Sequence, residues 1–216
     1  WMGYDMDVLD QSENAAYQIE NVISEHVRLE WIPTKDKTAV QEIVTSAFAD
    51  PVDGLQGKTV EETITPKNVL NAFDEAEVYM TDAEIIGQQF IAFVSADVYR
   101  SLKNAEGVSK TFTTNLSPTQ IQVNGINRTV DTLDGTNIII QRVSKDRLQV
   151  FDDKEINFIL VPMNVAKPIE KYNRIDLIPA ETDRDGYRDT IKGLNYFDCV
   201  VLEKARPAIY VSYTKK

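Results

Sequence analysis

The last third of the chain is a succession of β-type runs divided by turns, and no other stretch restricts the fold as strongly. Residues 156–162, 174–179, 187–193, 196–202 and 209–213 are rich in β-branched and aromatic side chains and are bounded by Pro, Gly, Asn or Asp. Upstream, Ile121 and Val123, then Asn124-Gly125, then Ile126 and Val130 carry the pattern of a tight hairpin over 120–130. Asp134-Gly135 marks a further turn into a strand over 136–143, and 90–94 reads as a short buried strand. Ser95-Ala-Asp97 then starts a helix that runs to about Asn104, with Gly107 just beyond it. The second half therefore reads as mostly β with short helices, one of them expected over 162–172 with Pro168 limiting its length.

The first third reads as helical. Asp10-Gln-Ser-Glu13 has the form of a capping box, and Ala16, Ile19, Val22, Ile23, His26, Val27 and Trp31 recur at three- and four-residue steps. Pro33 is expected to stop this amphipathic helix. Val40, Ile43, Val44, Ala47 and Phe48 keep helical spacing up to Asp50-Pro51, which predicts a second helix, or the first one resumed after a kink. Residues 50–63, with Pro51, Gly54 and Gly57, read as a loop, and Thr65-Pro66 opens another helix whose inner face is Val69, Leu70, Phe73 and Ala76.

Composition narrows what such a chain can do. At 216 residues, 43% of them hydrophobic, it can bury one substantial core or two smaller ones. No apolar run approaches the ~20 residues that cross a bilayer, and WMGYDMDVLD has neither the basic nor the apolar part of a signal peptide. The net charge of −11 is unevenly spread, since residues 1–64 hold 13 Asp and Glu against 4 Lys and Arg. Without a basic stripe, tight or sequence-specific nucleic-acid binding is disfavoured, because that affinity comes mostly from neutralising phosphates.

Chemistry-bearing patterns are sparse. His26 lies on the apolar stripe of the first helix, which points to a structural or interface role, and Cys199 sits inside a strand-like run as a core thiol. One His and one Cys give no zinc spacing and no triad, and neither standard glycine-rich phosphate loop is present. Thr182-Asp-Arg-Asp-Gly186 has two acidic positions of a calcium loop, Asp183 and Asp185, without the third early ligand or the closing glutamate, and reads as a solvated turn. Glu61-Glu62 and Asp152-Asp153 read as charged loop edges, and the sequons at Asn115 and Asn127 as chance matches. Tyr210 and Tyr213 are expected to pack on a sheet. No catalytic, cofactor-binding or metal-binding residue is assigned, and the chain is not expected to be an enzyme.

The order of the pieces resembles a known family. Tyr4-Asp-Met-Asp-Val8, Val27-Arg-Leu-Glu-Trp-Ile-Pro33 and Asn68-Val-Leu-Asn-Ala-Phe-Asp74 are similar to successive landmarks in the major capsid proteins of tailed phages and prophages. Phe90-Ile-Ala-Phe-Val-Ser95 with Tyr99-Arg-Ser-Leu-Lys103 follows, then Val130-Asp-Thr-Leu-Asp-Gly-Thr136 and Asn157-Phe-Ile-Leu-Val161. Gly186-Tyr-Arg188, Phe197-Asp-Cys-Val200 and Ala208-Ile-Tyr210 look like the closing strands.

The resemblance covers nearly the whole chain and implies an α+β fold of the phage major-capsid type. It implies a peripheral domain on a spine helix, here 10–32, and an axial domain that clusters at capsomer centres. On that pattern 1–64 is the helical peripheral part, 65–186 mainly the axial domain, and 187–216 the strands that return to the peripheral domain. Because the family's N-terminal arm and extended hairpin precede the spine helix, the chain is expected to lack most of both, as the compact body of a subunit cut from a longer precursor or made in shortened form. The implied function is a structural subunit of an icosahedral shell around double-stranded DNA. Its partner is itself, in hexamers and pentamers, with a scaffold protein, a portal and non-specifically contacted DNA, and no membrane. Its place is the virion, assembled in the bacterial host cytoplasm, where an inward-facing acidic first third would repel packaged DNA. An encapsulin-like compartment subunit, which shares the fold, and an unrelated α+β binding or carboxylate-dependent hydrolytic domain are the alternatives.

Overall fold

A computed structural model of the chain describes residues 2–7, 19–85, 89–105, 132–133, 137–182 and 188–216. The expected capping box at Asp10–Glu13, Gly107, the 120–130 hairpin, the Asp134-Gly135 turn, both sequons and the Asp183–Gly186 segment lie outside the described residues. The chain divides into two compact units. One comprises Trp1–Glu42 with Ala166–Val200, the other Ile43–Val165 with Val201–Lys216. These compact units meet along the chain at 42/43, 165/166 and 200/201. Each unit is discontinuous in sequence, since late strands share a sheet with the first strand in one unit and the final strand joins the sheet of the other.

The second unit is built on six strands. They are β2 (Lys58–Glu61), β3 (Phe90–Ser95), β4 (Thr132–Leu133), β5 (Ile138–Val143), β6 (Lys154–Pro162) and β9 (Tyr210–Lys215), in the order β2-β9-β6-β3-β5-β4. The pairs β2/β9 and β3/β5 are parallel and the others antiparallel, so this is a mixed sheet. β6 lies near its centre and is buried from Ile156 to Pro162. That explains its unbroken apolar composition: both of its faces are covered.

Helices α3 (Val69–Asp82) and α4 (Ala96–Lys103) belong to the core cluster on one side of the sheet. Val69, Ala72, Phe73, Ala76 and Met80 of α3 recur at helical steps and are buried with Ala92, Ile138, Phe158 and Leu160. Phe73 stacks on Phe158 at 4.4 Å, and Phe158 on Tyr210 at 5.9 Å. Ser95 caps α4 as expected, its hydroxyl accepting from the Val98 N–H at 3.4 Å. α3 starts later than expected, at Val69, after a turn over 66–68. Asn68 Oδ1 accepts both the Thr65 N–H at 2.6 Å and the Thr65 hydroxyl at 2.9 Å, so the hydroxyl is committed to that turn and does not cap a helix. A short helix α5 (Lys145–Leu148) precedes β6.

Pro33 does not end the first helical run. Helix α1 (Ile19–His26) passes through a π turn, Val27–Trp31, into helix α2 (Ile32–Phe48). The Ile32 N–H donates to the carbonyl of Val27, five residues back. In a straight α-helix the ring of Pro33 would strike the Leu29 carbonyl and leave it without a donor. The wider turn alters the ladder at those residues and puts Pro33 in the first turn of the next α-helical segment, where a missing N–H is tolerated.

Candidate assembly surface

The first unit is thin. β1 (Met2–Asp7), β8 (Arg188–Val201) and β7 (Ala166–Ile178) form a three-stranded sheet in the order β1-β8-β7, with β1 antiparallel to β8. Its small core holds Met2 and Ile191, with Val22, Ile23 and Trp31 of the helical run packed against them. The helical stripe read from the sequence thus meets a sheet made by residues some 160 positions later. Gly193, opposite Met2 in the register, makes this possible, because a Cβ there would stand 2.6 Å from Met2 Cε. The sequence suggests a break between two strands at Gly193 to Asn195. The structure has one strand of 14 residues, with the glycine giving room to a side chain and the strand continuing through it.

His26 lies where the stripe predicts. The Tyr4 hydroxyl and His26 Nδ1 are 2.8 Å apart, and the imidazole makes edge contacts with Tyr4 and Trp31 at 5.5 and 5.7 Å. The ring ties β1 to the helix. Cys199 is 5% exposed, and burial, followed by the carboxylates of Glu42 and Asp198, pushes its thiol above the ordinary range, away from nucleophilic use.

The sequence places a helix over 162–172, and the structure overturns this. Residues 163–165 form a turn and β7 runs extended from Ala166. Pro168 is accommodated because β7 is the edge strand, where a missing donor breaks no ladder. From 167 to 175 every residue of β7 is exposed. Large apolar side chains are among them and their neighbours: Ile169 is 52% exposed, Leu177 50%, Leu194 48% and Tyr196 61%. Of the twelve large hydrophobics left exposed among the described residues, nine belong to this unit, counting Trp1–Glu42 and Ala166–Val200. A concentration of exposed apolar side chains on one unit makes it the candidate interaction surface.

A shallow depression of about 580 Å³ lies on the same unit, lined by residues that include Met2, Asp5, Tyr172, Arg174, Lys192 and Leu194. Its two acidic side chains each have a partner. Asp5 accepts from the Thr190 hydroxyl at 2.9 Å and lies 3.5 Å from Arg188, and Asp176 takes Arg174 Nε at 2.6 Å. Beside it Glu170 accepts from Lys35 Nζ at 2.6 Å and from Asn195 Nδ2 at 2.7 Å, and these donors hold its carboxyl below the usual range. The surface offers apolar contact and matched charge. A carboxyl held protonated for acid catalysis would instead need its pKa raised.

The paired carboxylates singled out in the sequence lie in the second unit and are drawn to separate partners. Glu61 pairs with Lys215 at 2.7 Å, and Asp153 with Lys154 at 2.9 Å. The Glu62 carbonyl accepts from Thr214 Oγ1 at 2.7 Å and Asn157 Nδ2 at 2.9 Å, in a buried polar knot at the β6 bulge that sequence reading does not reveal. Tyr210 and Tyr213 pack on the sheet as expected. Tyr210 is 2% exposed, with its phenol pushed far up by burial, and Tyr213 meets Phe48 at 5.3 Å. Among the described residues no three His, Cys, Asp or Glu side chains gather to hold a metal, and no helix is long and apolar enough to cross a membrane.

No sequence-family model and no curated protein sequence matches the chain. Solved structures do. A structure from Mycobacterium phage Che8 superimposes with a TM-score of 0.65 at 16% identity, over 98% of this chain and 68% of that one. The mature capsid of bacteriophage PhiM1 gives 0.65 at 14% identity, over 99% and 69%. A virus-like particle from Pyrococcus furiosus gives 0.51 at 10% identity, over 98% and 74%. The fold is that of phage major capsid subunits.

Proposed function

We propose that this chain is a structural subunit of an icosahedral phage or prophage capsid enclosing double-stranded DNA. The observation that carries the reading is superposition of 98–99% of the chain on structures that include an assembled phage capsid, at a TM-score of 0.65. The exposed apolar and charge-matched surface of the first unit agrees with it, since a shell tile must bury its flanks against neighbours. On this reading the first unit, with its long helical run beside three strands, is the peripheral domain, and the six-stranded second unit is the axial domain. The partner is the chain itself, in hexamers and pentamers. Scaffold protein and portal engage the same shell, and DNA is contacted only non-specifically. The protein then resides in the virion after assembly in the bacterial host cytoplasm, and shape and edges do its work with no reactive centre.

The test is mass spectrometry of density-purified particles induced from the strain that encodes the chain. Peptides of this sequence should be among the most abundant in the DNA-containing fraction. Their absence from particles, with the protein present in the soluble lysate, would remove the reading. Recovery in particles that hold protein cargo and no DNA would move it to the compartment alternative.

A further inference from the structure

We infer that two copies of this chain pair through the outer edge of β7, antiparallel, about a two-fold axis at Tyr172. This deepens the capsid reading and rests on it for the choice of occupant: tiles joined into rings also need contacts between rings, and a two-fold contact is self-complementary.

Three observations converge on this strand. First, β7 is the edge of its sheet, and among the described residues no strand lies on its outer side. It is 13 residues long and continuously exposed from 167 to 175. Edges of monomeric proteins are short, covered, twisted away or blunted by Pro and Lys; β7 carries Pro168 and Lys171 but is otherwise a long exposed ladder of the kind that recruits another strand. Second, the sequence of β7 is complementary to itself in one register. With Tyr172 opposite Tyr172, Glu170 faces Arg174 twice, Ile169 faces Ile175 twice, and Lys171 faces Asn173. Sliding one way sets Lys171 against Arg174 and then Glu170 against Asp176, and sliding the other way loses both the ionic and the Ile–Ile matches. Third, the charged members are already positioned. Glu170 accepts from Lys35 and from Asn195 of the neighbouring β8, both on Oε1, and also bonds Asn173, and a carboxylate with about four acceptor sites can still take a guanidinium. Arg174 gives Nε to Asp176 and also bonds the Tyr172 side chain, which leaves part of its five-donor fork for a facing carboxylate. Pro168 falls at the end of the paired stretch, opposite Asp176, where a missing donor costs least.

The experiment places single cysteines on β7 of the full chain carrying Cys199→Ser. Across an antiparallel pair, residues on the axis have Cα atoms ~4.5–5.5 Å apart, inside the disulfide range of ~4.4–6.8 Å. Tyr172→Cys should therefore give a disulfide-linked dimer under mild oxidation. Asp176→Cys should not, since its two copies would stand roughly 26 Å apart at ~3.3 Å per residue. Absence of the Tyr172→Cys dimer, or an equal yield from Asp176→Cys, overturns the pairing. Independently, Glu170→Arg and Arg174→Glu should each weaken self-association on the order of tenfold by sedimentation, because each puts like charges face to face twice. The double variant should restore it, and failure to restore it also overturns the pairing. Electron microscopy of the same samples separates the two readings. Closed particles without the cross-link retain the capsid and remove the β7 pairing, whereas cross-linked dimers that never yield particles do the reverse.

Discussion

Two glycines illustrate how single residues hold each unit together. A Cβ on Gly57 would stand 2.8 Å from the Ala47 Cα, a backbone atom that cannot turn aside, whereas one on Gly193 would meet only side-chain atoms, Met2 Cε at 2.6 Å and Cγ at 2.7 Å, which a rotamer change can move. The same substitution should therefore cost different amounts. In denaturant titrations Gly57→Ala is expected to lose about 1–3 kcal/mol, as overpacking does, and Gly193→Ala less than about 1 kcal/mol. Ionic contacts give a second test at this scale. Lys145 Nζ reaches Asp97 at 2.6 Å and Glu155 at 2.5 Å, which holds the Asp97 carboxyl below its ordinary range and the Lys145 ammonium above its own. A carboxyl whose pKa is lowered on folding stabilises above its unfolded value, near pH 4, and loses that contribution as acid protonates it. The raised lysine stabilises below its unfolded value, near pH 10.4, and loses its share as alkali passes the folded one. Both side chains are about half exposed, so the pair is worth at most about 1 kcal/mol. Asp97→Asn should lower stability by up to that amount at pH 7, and the difference from the parent should vanish by about pH 2.

At the scale of elements, the π turn makes an unusual prediction. Removing a proline from a helix interior ordinarily recovers about 3 kcal/mol. Here the turn at Val27–Trp31 already absorbs the ring, so Pro33→Ala should change the stability by less than about 1 kcal/mol in a thermal melt. A gain near 3 kcal/mol would show that Pro33 strains the run. The same scale shows what the sequence makes legible. Phe90–Ser95 and Ala96–Lys103 are readable because a short apolar run and a serine cap are local signals. β7 is not. Ile169, Tyr172, Ile175 and Ile178 recur every three residues and imitate a helical stripe, while the extended form is imposed by pairing with β8. Likewise, no local pattern announces that β2 pairs in parallel with β9, some 150 residues later. The candidate surface was hidden for a related reason. Ile169, Leu194 and Tyr196 look in sequence like core residues, and only the fold reveals that they face outward.

For the whole molecule, the account is of a tile. The two units have separate sheets, and nine of the twelve large hydrophobics exposed among the described residues lie on the first. The uneven charge of the sequence fits the same picture. Glu20, Glu25, Glu30 and Asp36 are exposed along the helical run, and on an inner wall they would repel DNA at short range, within a Debye length of ~8 Å at physiological salt. The most direct measurement is a cryo-electron microscopy reconstruction of the DNA-containing particles in which peptides of this chain are found. The account predicts a wall whose repeating density accepts both units of this fold, with the first unit at subunit boundaries and the acidic helical run lining the interior. A wall built from a different fold, with this chain absent from the repeat, would contradict it.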